Sequence, residues 1–401
     1  MNPSLIPPYF ESDEEDIESG GGHLLGRWER SFSDDALMSL QFYYDRTEYD
    51  FLYGQTTVDT IDFEFNHHFS LGSRHDIVWG LGYRFVQDDL VMSTPFFQLD
   101  ENSRKTNLFS GFAQDEIRFM DDRVRVIIGS KFEHNDYTGF EIQPSARISW
   151  SPEGTYTIWA AASRAVRTPS RVEDGFQFAI AAIPAGAFLP FFPGAGVAQV
   201  IGNGELDTED LTAFEMGFRA QPMDNFSVDV AVFYNIYDDL RGGPTGMPFF
   251  DMLGGFPVMV VPSVLTNYHE GESYGFELAA DWLISRSWKL KASYTYFEIE
   301  REIDEGGSPQ HQASLRSMVN LSGNLTFDVW CRYVDGLLFE EVDSYLTADV
   351  RLSWQVSNNL ELSVTGRNLL EPSRAEYIPQ FMNTVATEIE RSIYGKIVWK
   401  F

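Results

Sequence analysis

Along most of the chain apolar and polar residues alternate one by one. Leu346, Ala348, Val350, Leu352 and Trp354 interleave with Thr347, Asp349, Arg351, Ser353 and Gln355. Phe226, Val228, Val230 and Val232 do the same against Ser227, Asp229 and Ala231, as do Trp288, Leu290, Ala292 and Tyr294 against Lys289, Lys291, Ser293 and Thr295. Earlier runs repeat the pattern at Met38, Leu40, Phe42 and Tyr44, at Ile61, Phe63 and Phe65, and at Ile77, Trp79, Leu81, Tyr83 and Phe85. Extended backbone sends successive side chains to opposite faces, so each run predicts a strand with one oily and one wet face. Helical spacing is nearly absent, and the chain reads as all-β.

The connections between these runs come in two sizes. Short polar turns are predicted at 31–35, 70–75, 119–123, 151–154, 221–225, 284–287, 321–324 and 355–359, and long loops at about 170–211, 240–266, 300–309 and 371–390. Tight turns at one end and long loops at the other describe a transmembrane antiparallel up-and-down β-barrel, whose strands need ~9–11 residues to cross lipid. No window offers the ~20 unbroken apolar residues of a spanning helix. The closest, Phe178 to Ile201, carries Pro184, Pro190 and Pro193 and reads as an apolar loop.

Tryptophan adds to this picture. Trp28, Trp150, Trp282, Trp288 and Trp354 fall within three residues of a short turn, and Trp399 is two from the C-terminus. That distribution suits an interfacial girdle, where the indole ring is dry and its N–H is wet. In the last run, Ile393, Ile397, Trp399 and Phe401 share one face while Ser392, Tyr394, Lys396 and Lys400 share the other. Eight short turns make eight hairpins, and the terminal strand raises the count to seventeen. An odd count brings first and last strands together running the same way, whereas bacterial single-chain barrels have even numbers.

Composition narrows the function classes. Of 401 residues, 60 are Asp or Glu and 29 Lys or Arg, a net charge of −31, yet 43% are apolar, which excludes wholesale disorder. Such acidity argues against a duplex nucleic-acid partner. The single cysteine, Cys331, excludes a disulfide framework and shares a face with Leu325, Phe327 and Val329, as a lipid-facing small hydrophobe would. The start at Met1 shows no secretory signal pattern. No motif of a metalloprotease, a serine hydrolase, a phosphate loop or a dinucleotide fingerprint is present, so neither an enzyme nor a cofactor is expected. His67 and His68 are adjacent on a strand and point to opposite faces, so they cannot share one metal.

Several stretches carry a resemblance. IWAAASRAVRTPSRVED at 158–174, LDTEDLTAFEMGFRAQP at 206–222, VFYNIYDDLR at 232–241, ESYGFELAADW at 272–282, GRNLLEP at 366–372 and the ending RSIYGKIVWKF together resemble the C-terminal part of the barrel of TonB-dependent outer-membrane receptors. They cover most of the chain from about Phe109 onward. The resemblance implies an outer-membrane location, lipid and lipopolysaccharide as surroundings, a terminal Phe401 read by the barrel-assembly machinery, and import of a bulky scarce nutrient such as an iron–siderophore complex or cobalamin. Family barrels have about 22 strands around a plugged lumen. Here the first 22 residues, with Glu11, Asp13, Glu14, Glu15, Asp16 and Glu18, read as an acidic extracellular loop remnant, leaving 23–401 as an incomplete barrel. About five strands and the plug are therefore expected to be missing upstream, and TonB would be a partner only if a plug is supplied. The alternative is a passive pore or surface-binding barrel that TonB does not energise.

Candidate ligand-binding residues follow from loop composition. Phe188, Phe191 and Phe192 in one long loop, and Phe249 and Phe250 with Met252, Phe256 and Met259 in another, suit a bulky and partly apolar ligand. The competing expectation is that these loops pack on each other and cap the barrel. Arg164, Arg167 and Arg171 form a basic run in an acidic chain. They could face an anionic ligand or a plug carboxylate, or balance lumenal acids such as Asp115 and Glu116. The acidic pair Asp238 and Asp239 and the 11–18 run could hold divalent cations, or simply be solvated.

Overall fold

The computed structural model describes residues 2–3, 10–11, 17–51, 53–187, 194–301, 307–337, 342–376 and 387–401. Seventeen strands form its wall. The first eight are β1 (Glu18–Ser33), β2 (Ala36–Phe51), β3 (Gly54–Leu71), β4 (His75–Met92), β5 (Ser103–Phe119), β6 (Val124–Asn135), β7 (Gly139–Trp150) and β8 (Tyr156–Arg167). The rest are β9 (Glu209–Met223), β10 (Phe226–Gly242), β11 (Thr266–Ser285), β12 (Trp288–Arg301), β13 (His311–Ser322), β14 (Leu325–Val334), β15 (Tyr345–Ser357), β16 (Leu360–Arg367) and β17 (Ser392–Trp399). Each pairs antiparallel with the next in sequence. The count of seventeen and the up-and-down order agree with the alternation. No helix among the described residues is long and apolar enough to cross a membrane.

Register makes the two faces continuous. Residues opposite each other in an antiparallel pair share a face. Leu40 stands opposite Phe65 and Phe65 opposite Leu81, an outward row, whereas Tyr43 opposes Asp62 and Asp62 opposes Arg84 on the inward row. Arg84 Nε donates to Asp62 Oδ2 at 2.8 Å, so charge on the wet face is paired across strands. All six girdle tryptophans are exposed, and Trp28, Trp150, Trp282 and Trp354 oppose Leu40, Ile158, Phe226 and Leu362. Cys331 faces Ala348 and Leu315 on the outward row. His67 and His68 point to opposite faces, the first to Trp79 and the second to Asp76.

Eight tight turns occupy one end as expected, but the other end is less uniform. Residues 136–138 also connect strands tightly there, beside the long connections. Glu18 to Gly22, assigned by composition to the acidic loop remnant, are the beginning of β1 and pair with Asp50 to Arg46. Glycines make the strand start featureless in sequence, and only the register with β2 reveals it.

The long connections build a structure of their own at the mouth. Five strands, in the order 249–253, 256–264, 196–201, 176–183 and 97–99, form one sheet drawn from three different loops. Its 196–201 and 256–264 strands run parallel, and the other pairs are antiparallel. Ala179 and Val197 are fully buried between its strands, with Leu253, Val258 and Val260 around them. Phe176, Phe178 and Val200 pack against Tyr53, Phe97 and Leu99 in a second cluster. Within the stretch 178–201, expected to be an apolar loop, residues 178–183 and 196–201 are strand. Its apolar residues are buried because other loops cover them.

The wall has a seam. The strand order runs round a ring with β17 beside β1. Both strands are exposed almost throughout. Both follow the same direction toward the tight-turn end, since β1 leads into the turn at 34–35 and β17 follows the long connection after β16. An antiparallel ladder cannot form between two strands that run the same way.

Candidate functional site

The mouth carries the densest charge chemistry. Helix α1 (Arg171–Gly175) follows β8 directly, and its start is set locally by Ser170, whose side chain accepts from the Glu173 N–H while Glu173 accepts from the Ser170 N–H. That reciprocal cap satisfies two donors that a helix start leaves open. It also fixes where the next charges go. Arg171 Nη1 donates to Asp100 Oδ1 at 3.0 Å, and its Nε lies 3.3 Å from Asp88 Oδ2. Arg104, on the inward face of β5, donates to Asp100 at 2.8 Å and pairs with Asp174 of the helix. Arg167 pairs with Glu173 at 2.6 Å and with Glu209 at 2.5 Å, and Arg241 also pairs with Glu173.

Two close approaches hold this cluster against the mouth sheet. Gly202 N–H donates to the Phe176 carbonyl, and a Cβ on Gly202 would lie 2.7 Å from the Glu173 carbonyl oxygen. Only glycine fits there. A Cβ on Gly175 would lie 2.2 Å from the Asp100 carboxylate.

Beside the cluster lies a cleft of about 760 Å³, bordered by Asp100, Arg104, Lys105, Asp136, Tyr137, Asp174 and Gln177 among others. Burial pushes the Asp100 carboxyl up, but the Arg171 hydrogen bond, the Glu101 N–H and the Arg104 charge outweigh it and hold the group below its ordinary value. Tyr137 shifts the other way, mainly because burial disfavours its phenolate. At neutral pH the cleft therefore offers the Arg104 guanidinium, already engaged by Asp100 and Asp174, together with a protonated phenol. An anionic ligand would have to compete with Asp100 and Asp174 for that guanidinium.

The expected site residues separate. Arg167 and Arg171 lie in this cluster, but Arg164 shares the outward row with Ile158, Ala160 and Ala162 and reaches Asp210 at 2.5 Å and the Ile142 carbonyl at 2.5 Å. An odd spacing of three along a strand sends Arg164 and Arg167 to opposite faces. The basic run is internally paired, though with Glu141, Asp210, Glu173, Glu209, Asp88 and Asp100 rather than with Asp115 and Glu116. Asp115 stands on the outward row opposite Ile77 and pairs with His75 at 2.7 Å; Glu116 faces inward to Arg118 at 3.0 Å. Phe249 and Phe250 lie on an edge strand of the mouth sheet, 42% and 64% exposed, next to the exposed Met247, Met252 and Phe256. Phe188, Phe191 and Phe192 fall outside the described residues. Phe401 is fully exposed beyond β17, where Lys400 is held by Asn359 through bonds of 2.8 Å at both its N–H and its carbonyl. Asp239 adopts a positive φ of 57° at a bulge, and its carbonyl accepts from Asn267 at 2.7 Å.

Arg104, Asp88, Asp100 and Asp174 were not singled out from sequence. The signal available was the Ser170–Glu173 capping pattern, which announces a helix start just where β8 ends. Its partners come from β4 and β5 and have no local signature.

The chain thus combines an antiparallel wall of amphipathic strands with tight turns at one end and a loop-built sheet at the other. The sequence model for the TonB-dependent receptor-like β-barrel matches residues 6–369. The chain belongs to that family. Its match reaches well upstream of Phe109, so strands β1 to β4 are family strands too. Among solved TonB-dependent receptors, the siderophore receptor PirA from Acinetobacter baumannii superposes with a TM-score of 0.70 at 13% identity, covering 96% of this chain and 71% of PirA. The ferric enterobactin receptor PfeA from Pseudomonas aeruginosa gives a TM-score of 0.72 at 15% identity, over 96% of this chain and 62% of PfeA. The ferric-catecholate import receptor Fiu from K12 E. coli gives 0.66 at 12% identity, over 95% and 64%. The TonB-dependent receptor chain here thus spans between three fifths and three quarters of the length of these relatives. No curated protein matches it. At such identities the likeness speaks for the fold.

Proposed function

We propose that this chain is the wall and mouth of an outer-membrane receptor that takes up a bulky, partly aromatic anionic chelate, of the iron–siderophore kind, with energy from TonB where a plug is supplied. The observation that supports this reading is the occurrence of the cleft bordered by Arg104 and Lys105 and the exposed Phe249 and Phe250 edge at the same end of the barrel. Guanidinium groups recognise oxyanions by paired hydrogen bonds, and aromatic surfaces take the ligand's rings. The names of the relatives PirA, PfeA and Fiu support the class of ligand. Phe401, free at the chain end, fits a role as the assembly signal.

Binding of ferric enterobactin to vesicles carrying the chain tests the reading. Replacing Phe249 and Phe250 together by Ser should weaken binding about tenfold, the equivalent of ~1.4 kcal/mol. Unchanged affinity in that variant and in Arg104→Ala would leave the mouth with a packing role only.

A second reading, a passive pore, has its own support. Inward-row side chains such as Arg84, Lys131 and Lys291 keep about half their surface accessible, at 51%, 49% and 50%. Planar-bilayer recording separates the two, because a large ungated conductance favours the pore.

A further inference from the structure

The charges that border the mouth cleft are engaged with one another, except one. Asp100 and Asp174 are held by Arg104, and Glu101 lies 3.6 Å from the Arg104 Nε. Asp136 accepts from the N–H and the side-chain amide of Asn107 at 2.7 and 3.0 Å. The Lys105 ammonium makes no ion pair or hydrogen bond among the described residues, and the residue is exposed. An anion that meets Lys105 displaces no carboxylate, whereas one that meets Arg104 has to.

Strand β5 also brings a bare backbone edge to the cleft. Residues 103–107 are flanked by β4 on one side, but the ladder with β6 starts only at Leu108, opposite Asn135. Backbone groups of an antiparallel strand alternate between its two neighbours. At the two ends of β5 the Asn102 carbonyl accepts from the Leu90 N–H and the Arg118 N–H donates to the Arg74 carbonyl, so even positions serve the β4 side. Odd positions turn the other way, as the Asn107 N–H does toward Asp136. The N–H and C=O of Lys105 therefore face the space that β6 leaves open beside the 136–138 connection. Such an unpaired donor and acceptor on a strand edge is a template for another extended segment.

The occupant has to be small. A cleft of about 760 Å³ falls within the ~300–1,000 Å³ of small-ligand sites and does not admit a folded partner. We propose that Lys105 is the specificity-determining residue of this cleft: its ammonium takes an oxyanion of the chelate, and its N–H and C=O pair, strand to strand, with an amide in the same arm of that ligand. Arg104 is then a positioning residue, which engages Asp100 and Asp174 so that neither neutralises Lys105. The inference rests on the uptake reading and deepens it by naming the ligand chemistry as anionic and amide-bearing.

The test uses the full chain in detergent micelles, with the tripeptide acetyl-Gly-Gly-Glu as probe and affinity read by isothermal titration. Lys105→Gln should weaken binding about tenfold at low salt, and the difference should close near about 1 M salt, where the screening length is ~3 Å. Lys105→Arg should keep most of the affinity. Lys105→Pro leaves the β4 ladder intact, because that N–H lies outside it, and should lose roughly a further fivefold relative to Lys105→Gln through the missing donor. A probe methylated at its amide nitrogens should bind the unaltered chain correspondingly less. Equal affinity of the unaltered chain and Lys105→Gln, or of the parent and methylated probes, would overturn the proposal. So would a loss in Lys105→Gln that persists undiminished in high salt, since that marks a structural role. Ferric enterobactin titrated into the same samples separates the two readings. Binding that Lys105→Gln leaves intact sinks the role of Lys105 alone, whereas an unaltered chain that takes up neither ferric enterobactin nor the tripeptide sinks the uptake reading and the proposal with it.

Discussion

Arg171 donates to Asp100 at 3.0 Å across 71 positions of sequence, tying the start of α1 to the connection that enters β5. The same guanidinium also lies against Asp88, and both of those side chains are nearly buried. Such a pair specifies geometry more than it stabilises, but removing one partner strands the other charge.

Arg171→Ala should therefore loosen the mouth more than it destabilises the wall. The expected cost is on the order of 3 kcal/mol within the mouth, with Asp88 left to the Arg104 N–H and charge alone. Limited proteolysis should cut between 168 and 208 sooner, while heat-modified gel mobility of the barrel stays the same.

Acid should act at the same point. The Asp100 carboxyl titrates below its ordinary value of 3.8 in the folded mouth, so its contribution is complete above that value and is lost as pH falls through the lower, folded one. Hydrogen exchange of the amides at 97–102 and 171–177 should be unchanged between pH 7 and 5 after correction for intrinsic rates. It should accelerate only below about 3.8, and Asp100→Asn should show the fast exchange already at neutral pH.

The mouth sheet has a core, and the Phe edge does not belong to it. Val258→Ala, at a side chain only 1% exposed, should cost about 2 kcal/mol of mouth stability. Phe250→Ser, at a position 64% exposed, should change stability far less. Differential hydrogen exchange across 256–264 measures both.

Gly202→Ala should resemble the core substitution rather than the surface one. Its Cβ would meet backbone at 2.7 Å, so either the 196–201 strand or α1 has to move. Loss of the Gly202 to Phe176 hydrogen bond, seen as faster exchange at that amide, is the expected sign.

Tryptophan accessibility checks the wall itself. Trp28, Trp150, Trp282, Trp288, Trp354 and Trp399 should be quenched by lipids brominated near the headgroup. Trp159 and Trp330 face inward, where Arg147 and Arg332 lie over their rings at 4.4 and 4.1 Å. They should respond to aqueous quenchers that enter the lumen instead.

The contrast between wall and mouth explains what was legible from the chain alone. Lipid outside and water inside impose a demand on every second residue, so rows such as Phe226, Val228 and Val230 could be assigned strand by strand without knowing their neighbours. The parity that separates Arg164 from Arg167 was also present in the numbering, though a run of positive charge obscured it. The mouth sheet left no such imprint. Phe178 and Val200 sit in a stretch whose prolines and glycines signal a loop, and they are strand residues because partners arrive from elsewhere, 256–264 beside Val200 and 97–99 beside Phe178. Asp88 and Asp100 were hidden for the same reason: an acid among 60 carries no mark of the arginine it will meet.

Because three loops contribute adjacent ribbons to one sheet, recognition at this surface cannot be exchanged piecemeal. Grafting a single loop from a relative would remove a rung partner from the loops left behind and expose Val197 or Val258 to water. A change of cargo in such a scaffold has to arise either through residues at the sheet's margin or through concerted replacement of several loops, which makes the margin the easier route for divergence.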